Sequence, residues 1–217
     1  MKRLLLSMLL IGSLAIGQEF QEAAVSPRQT LKQNFSVTNV TVDYSRPSVN
    51  ERKIFGDLVP FGNIWRLGAN AATTIEFGLD IIFNDQTVTA GKYTLFATPH
   101  ADYWTLHFSR MTNARGTSNY DPNLDIFTVT LKLSQIDEPV ESFQIRFDNF
   151  EENQMEMYFE WANTRAHTTL RLANDADVQK ISEEMKHKRE KEQKEQQNLQ
   201  DNRPRVKPTN TTPQPMR

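Results

Sequence analysis

Between Val25 and Leu172 apolar residues recur at every second position. Val40, Val42 and Tyr44 alternate with Thr41, Asp43 and Ser45, and Val129, Leu131 and Leu133 alternate with Thr130 and Lys132. Phe143, Ile145 and Phe147 repeat the pattern, as do Met155, Met157, Phe159 and Trp161. Successive side chains of a strand point to opposite faces, so each run predicts a strand with one buried and one wet side. No stretch here carries a 3.6-residue period of helix length. Turn formers separate the runs at Asn84-Asp85, Ala90-Gly91, Pro99 to Asp102, Asp121-Pro122-Asn123 and Asp148-Asn149. The pattern predicts an all-β domain over residues 25–172, with roughly eight to ten short strands. The expected arrangement is two antiparallel sheets packed face to face, a jelly-roll-like β-sandwich, with a closed barrel as the alternative. Phe77, Phe83, Tyr93, Phe96, Trp104, Phe108, Phe127 and Phe143 are the large side chains such a core uses.

The alternation stops between Tyr44 and Asn70. Long excursions inside a compact β domain are either functional or disordered. Ile54, Phe55, Leu58, Val59, Phe61, Ile64 and Trp65 favour burial, so this segment is expected to be an ordered crossover lying on or beside the sheets. Pro60 and Gly62 suit the second and fourth positions of a tight turn within it.

The two ends have a different character. Lys2 and Arg3 precede an apolar run from Leu4 to Ile16, followed by Gly17. That is the order of a secretory signal peptide, predicted over residues 1–17 with cleavage before Gln18. The run spans about 20 Å as a helix, against roughly 30 Å for a bilayer core, so it is short for an anchor. After Leu172 the chain holds ten Lys/Arg, eight Asp/Glu, four prolines and no aromatic residue. Val178, Ile181 and Met185 give one apolar stripe of about two turns, so residues 173–200 are expected to form a charged helical extension. Residues 201–217, rich in Pro, Thr and Asn, read as a disordered tail. The extension is either a docking arm for an envelope partner or a solvated helix fraying into a loose end.

Charge sharpens the interest in the crossover. The whole chain of 217 residues has a net charge of −2, too balanced for general nucleic-acid binding, and no cysteine for disulfides or thiolate chemistry. From Gln18 to Leu172 there are 13 Lys/Arg and 19 Asp/Glu, a net of −6. Residues 44–70 alone carry Arg46, Arg52, Lys53 and Arg66 against Glu51 and Asp57, a net of +2. Guanidiniums hold carboxylates and phosphates through paired hydrogen bonds. Arg46, Arg52 and Arg66 are therefore the candidate contacts to a small anionic or carbohydrate-like ligand. Trp65 would stack on it, and Asn70 would orient it. The competing reading pairs these arginines with acidic strands and makes them an internal clamp.

The same segment resembles a known family. Tyr44-Ser45-Arg46-Pro47, the run from Arg52 to Pro60, and Trp65-Arg66-Leu67-Gly68-Ala69-Asn70 are similar to the family called domain of unknown function 2911. Ala90 to Phe96, Pro99 and Trp104 continue the likeness, which spans residues 26 to 172. It implies a secreted bacterial protein with no established activity and no catalytic residues to carry over. The chain departs from the family pattern between Arg110 and Asn119, where the Trp-Gly pair often found before the equivalent of Tyr120 is absent. If that loop lines a pocket, ligand preference here differs.

Other chemistry has little support. His100, His107, His167 and His187 form no HxH or HxxxH pair, and no metal site or cofactor is expected, although His107 and His167 fall on predicted strands. There is no GxSxG elbow, phosphate loop or dinucleotide fingerprint. Carboxylates from separate strands could still meet as a hydrolase pair. The sequence thus predicts a periplasmic or extracellular binding module without a transmembrane segment after signal cleavage. A hydrolase and a purely structural envelope protein are the alternatives.

Overall fold

A computed structural model describes residues 25–112, 114, 116–151 and 153–201. The predicted signal peptide lies outside them, as does the predicted tail apart from Asp201. The strands are β1 (Arg28–Phe35), β2 (Thr38–Ser45), β3 (Thr73–Phe77), β4 (Ile81–Phe83) and β5 (Gln86–Val88). They continue with β6 (Gly91–Pro99), β7 (Tyr103–Ser109), β8 (Asp125–Asp148) and β9 (Gln154–Leu172). One helix, α1 (Asp175–Asp201), follows.

All nine strands belong to a single open antiparallel sheet, in the order β1-β2-β3-β6-β7-β8-β9-β4-β5. Where the periodicity predicts two sheets, hydrogen bonding runs unbroken through one, because β8 and β9 are long enough to serve both halves. Their pairing slips between Gln135 and Val140 and again between Val140 and Gln144, and Ala162 opposite takes φ +50°. Extra residues in a ladder bend and twist it. Past this corner β8 meets the chain leaving β2: the Phe143 amide donates to Pro47 O (2.9 Å) and the Val49 amide to Glu141 O (2.8 Å). The curl gives one inner face, and the alternating residues fill it. Val40, Val42, Phe143, Met155, Met157, Phe159 and Trp161 are essentially closed to solvent. Ring contacts join strands remote in order, Tyr44 to Phe143 and Phe83 to Phe108.

Phe96 departs from the expected core. It sits on the outer face with Ala72, Met111 and Ala114, under Tyr120. The loop after β7 is drawn over that face and covers it. Thr94 Oγ1 donates to Met111 O (2.5 Å), and the Ala72 amide donates to Ala114 O (3.1 Å). A short 3-10 turn at Pro122–Leu124, capped by the Asp121 side chain, returns the chain to β8.

Helix α1 uses little of its predicted stripe. Val178 is buried and Ile181 half-buried, while Met185 is 43% exposed and the following turns face solvent. Among the described residues no helix is long and apolar enough to cross a membrane.

Candidate functional site

The crossover between β2 and β3 is ordered by its aromatic residues, as their clustering predicts. Trp65 exchanges backbone hydrogen bonds with Ala97 (2.7 and 2.8 Å), extending β6 beyond the end of β3. Its indole lies 5.8 Å from Trp161 in a stacked pair, and Phe55, Trp104 and Phe143 approach it edge-on. The indole Nε1 donates to Gly68 O (3.1 Å). Trp65 is 8% exposed, so its ring serves as the floor of the segment. The stacking surface expected of it is taken up by Trp161. The loop beyond it depends on Gly68, whose φ is +149° and where a Cβ would stand 2.9 Å from Ser45 O. A side chain there would push β2 and the crossover apart.

The arginines bond backbone carbonyls rather than the acidic strands of the clamp reading. Arg46 Nε donates to Phe143 O (3.1 Å). Arg52 donates to Val49 O (2.9 Å) and Ser48 O (2.6 Å), and Arg66 to Asn70 O (3.1 Å). None of the three has a carboxylate partner among the described residues, although Arg28, Arg146 and Arg165 each have one. Backbone carbonyls orient these guanidiniums but leave the full charge uncompensated.

Arg52 and Arg66 border a cleft of about 270 Å³ whose walls include Ser48, Asn50, Trp65 and Trp161. Among the described residues no carboxylate lines it. Of the five residues singled out from the sequence, Arg52, Trp65 and Arg66 therefore converge. Arg46 and Asn70 do not line the cleft: Arg46 is spent on the turn of β8, and Asn70, with φ +58°, offers its carbonyl to Arg66. Ser48, Asn50 and Trp161 are wall residues that the sequence reading missed. Trp161 was hidden in a strand alternation that reads as core, and the other two are polar residues in a loop.

A second polar group lies on the outer face. His107 Nδ1 is 3.0 Å from Asp125 Oδ2, its Nε2 is 2.9 Å from Thr98 Oγ1, and Tyr120 donates its hydroxyl to the same carboxylate. Burial, and then the Asp125 carboxylate, push the Tyr120 hydroxyl far above its ordinary pKa. Thr98 hydroxyl, His107 imidazole and Asp125 carboxylate stand in the order of a nucleophile relay, whereas Tyr120 bonds the carboxylate directly. None of them lines the crossover cleft or the larger cavity described below. Their evident work is to fasten Tyr120 and the covering loop to β7 and β8. His167 is remote from this group, stacked on Tyr158 and 3.9 Å from Glu156. Among the described residues no three His, Asp or Glu side chains gather as a metal-binding set.

The fold and the cleft together define a β-rich domain with an arginine-lined recess built by an inserted crossover. The chain belongs to the family described as Protein of unknown function (DUF2911), whose profile matches residues 26–170, the sheet with the crossover included. No curated protein and no solved structure matches it.

Proposed function

We propose that this protein is an exported, non-enzymatic module that binds a small anionic or carbohydrate-like ligand in the crossover cleft. The observation that carries the reading is a pair of guanidiniums, Arg52 and Arg66, on a cleft without a carboxylate partner. A guanidinium presents several donors in a plane, and each carbonyl contact leaves others free for a carboxylate or phosphate. Trp65 and Trp161 supply an apolar floor. The absence of a carboxylate from the cleft lining favours binding over a hydrolase with paired carboxylates. Export rests on the leader at residues 1–17, which directs the chain to the periplasm or beyond. Helix α1, solvated past Met185, is available to an envelope partner without disturbing the cleft.

The test is a thermal-shift and calorimetric titration of the mature chain with a panel of sugar acids and phosphates. Arg66 is half-buried and bonds a backbone carbonyl, so Arg66→Ala is expected to cost stability about 0.5–1.5 kcal/mol. It should weaken binding by about 1.5–3 kcal/mol, the worth of a hydrogen bond to a charged group. Large melting losses in Arg46→Ala, Arg52→Ala and Arg66→Ala, with no ligand shifting the parent, would return the arginines to a structural role. Cell fractionation tests export: a protein retained in the inner membrane with Met1 attached would refute it.

A further inference from the structure

A cavity of about 380 Å³ lies elsewhere, on the outer face of β3 and β6. It shares no lining residue with the crossover cleft. Its floor is apolar: Ala72, Met111 and Ala114 are each less than a tenth exposed, while neighbouring Tyr93 turns its ring into the inner core against Phe77 and Phe108. Its rim is basic, with Arg28, Lys92 and Arg110, and no carboxylate lines it. These cations come from β1, β6 and the loop after β7, so the curl of the sheet and the covering loop assemble them.

The rim charges are not equivalent. Arg28 Nε is 2.7 Å from Asp43 Oδ1, which neutralises it. Lys92 and Arg110 have no ion pair among the described residues; Glu76 faces Lys92 across the β3–β6 ladder without closing one. The hydroxyls of Thr74 and Thr112 also reach the cavity. An open-mouthed cavity of this size with an apolar floor and a few convergent polar groups has the ordinary form of a small-molecule site. Two cations without an ion pair among the described residues, above a floor of methyl and thioether carbon, suit one kind of molecule, a monoanion with an apolar body. A bare phosphate would leave the floor unused, and a neutral ring would leave the cations unused.

We propose that this cavity is a second ligand site, for a small amphipathic carboxylate. Lys92 and Arg110 meet the carboxylate, and Met111, Ala72 and Ala114 pack against its carbon body.

The test uses the mature chain and isothermal titration with sodium benzoate and sodium hexanoate, with inorganic phosphate and neutral benzamide as controls. Saturable binding of at least one carboxylate is expected, weakening with added salt as rim charges are screened. Lys92→Ala and Arg110→Ala should each weaken it about tenfold or more. Thr112→Glu, an exposed rim substitution, should abolish it while the melting temperature holds, which separates loss of the site from loss of the fold. Arg52→Ala and Arg66→Ala should leave it unchanged, so the crossover cleft and this cavity stand or fall separately. The proposal is overturned if neither carboxylate binds, if phosphate or benzamide binds as tightly, or if the three rim variants bind like the parent.

Discussion

Glu160 lies on β9 at the sheet's outer surface, yet it is only 2% exposed. Its carboxylate accepts from Arg165 Nε (2.5 Å), Gln144 Nε2 (2.8 Å) and Arg146 Nε (3.1 Å). Burial alone would raise its pKa, but the donors from Arg146, Gln144 and Arg165 outweigh burial and hold it below the usual carboxylate range. Glu156 is also held low, chiefly by the Tyr158 hydroxyl, whose own pKa is pushed up to about 12 by burial and then by that carboxylate. Both glutamates bind protons more weakly folded than unfolded. Their contribution is therefore complete above the unfolded value of about 4.3 and is lost as pH falls through the depressed folded values. Urea midpoints should accordingly decline from pH 5 towards pH 3, and Glu160→Gln should flatten that decline. At neutral pH the same variant should cost about 1–3 kcal/mol, since charged hydrogen bonds become neutral ones. Trp65→Ala tests the other key residue. Removing a buried indole should cost about 3–5 kcal/mol, visible as a large fall in melting temperature. If Trp65 were instead an exposed stacking platform, stability would hold and only binding would drop.

Among the elements, β9 and α1 show opposite relations to the core. β9 turns the sheet's corner at Ala162, a half-buried non-glycine residue in the left-handed region at φ +50°. A β-branched side chain is a poor fit to such a backbone. Ala162→Val should therefore destabilise the sheet, while Ala162→Gly should stay within about 1 kcal/mol of the parent, because relief of strain offsets added chain entropy. Equal melts for the two variants would show that the corner carries no strain. Helix α1 gains its tertiary support from Val178 and Ile181. Truncation before His187 should leave the unfolding midpoint of the sheet unchanged and remove helical circular-dichroism signal. Val178→Asp, which puts a charge in the contact, should lower the midpoint.

At the scale of the molecule, one curled sheet shares one core, and strands distant in sequence close it. Tyr44 illustrates this: its hydroxyl accepts from the Ile145 amide (3.1 Å), joining β2 to the far half of β8. No strand can be withdrawn without exposing its neighbours. Tryptophan fluorescence and the β signal of circular dichroism should consequently melt together in one transition, with the outer turns of α1 fraying earlier. Two separate transitions within the sheet would mean that its halves fold as independent layers. Because the β2–β3, β3–β6 and β4–β9 pairings close long stretches of chain, refolding should take milliseconds to seconds rather than microseconds.

The alternation at Val40–Tyr44, Phe143–Phe147 and Met155–Trp161 determined strands and inward faces, because a pleated backbone turns every second side chain the same way. Turn residues such as Asn84-Asp85 determined where strands reverse, both taking positive φ there. The break at Tyr44 and the aromatic content after it marked an ordered crossover, and the excess of arginine marked it as the place to look for chemistry. Periodicity is blind to pairing, however. It could not distinguish two sheets from one that bends, because the corner depends on register slips between β8 and β9 and on the backbone of Ala162. Nor could it place Phe96 on the outer face, where a loop without a pattern of its own covers it. Above all, residue type does not say which cations find a counter-charge. Arg28 is matched by Asp43 and Arg146 by Glu160, whereas Arg52, Arg66, Lys92 and Arg110 have no such partner among the described residues. That distribution is a property of three-dimensional distance, which residue type does not contain.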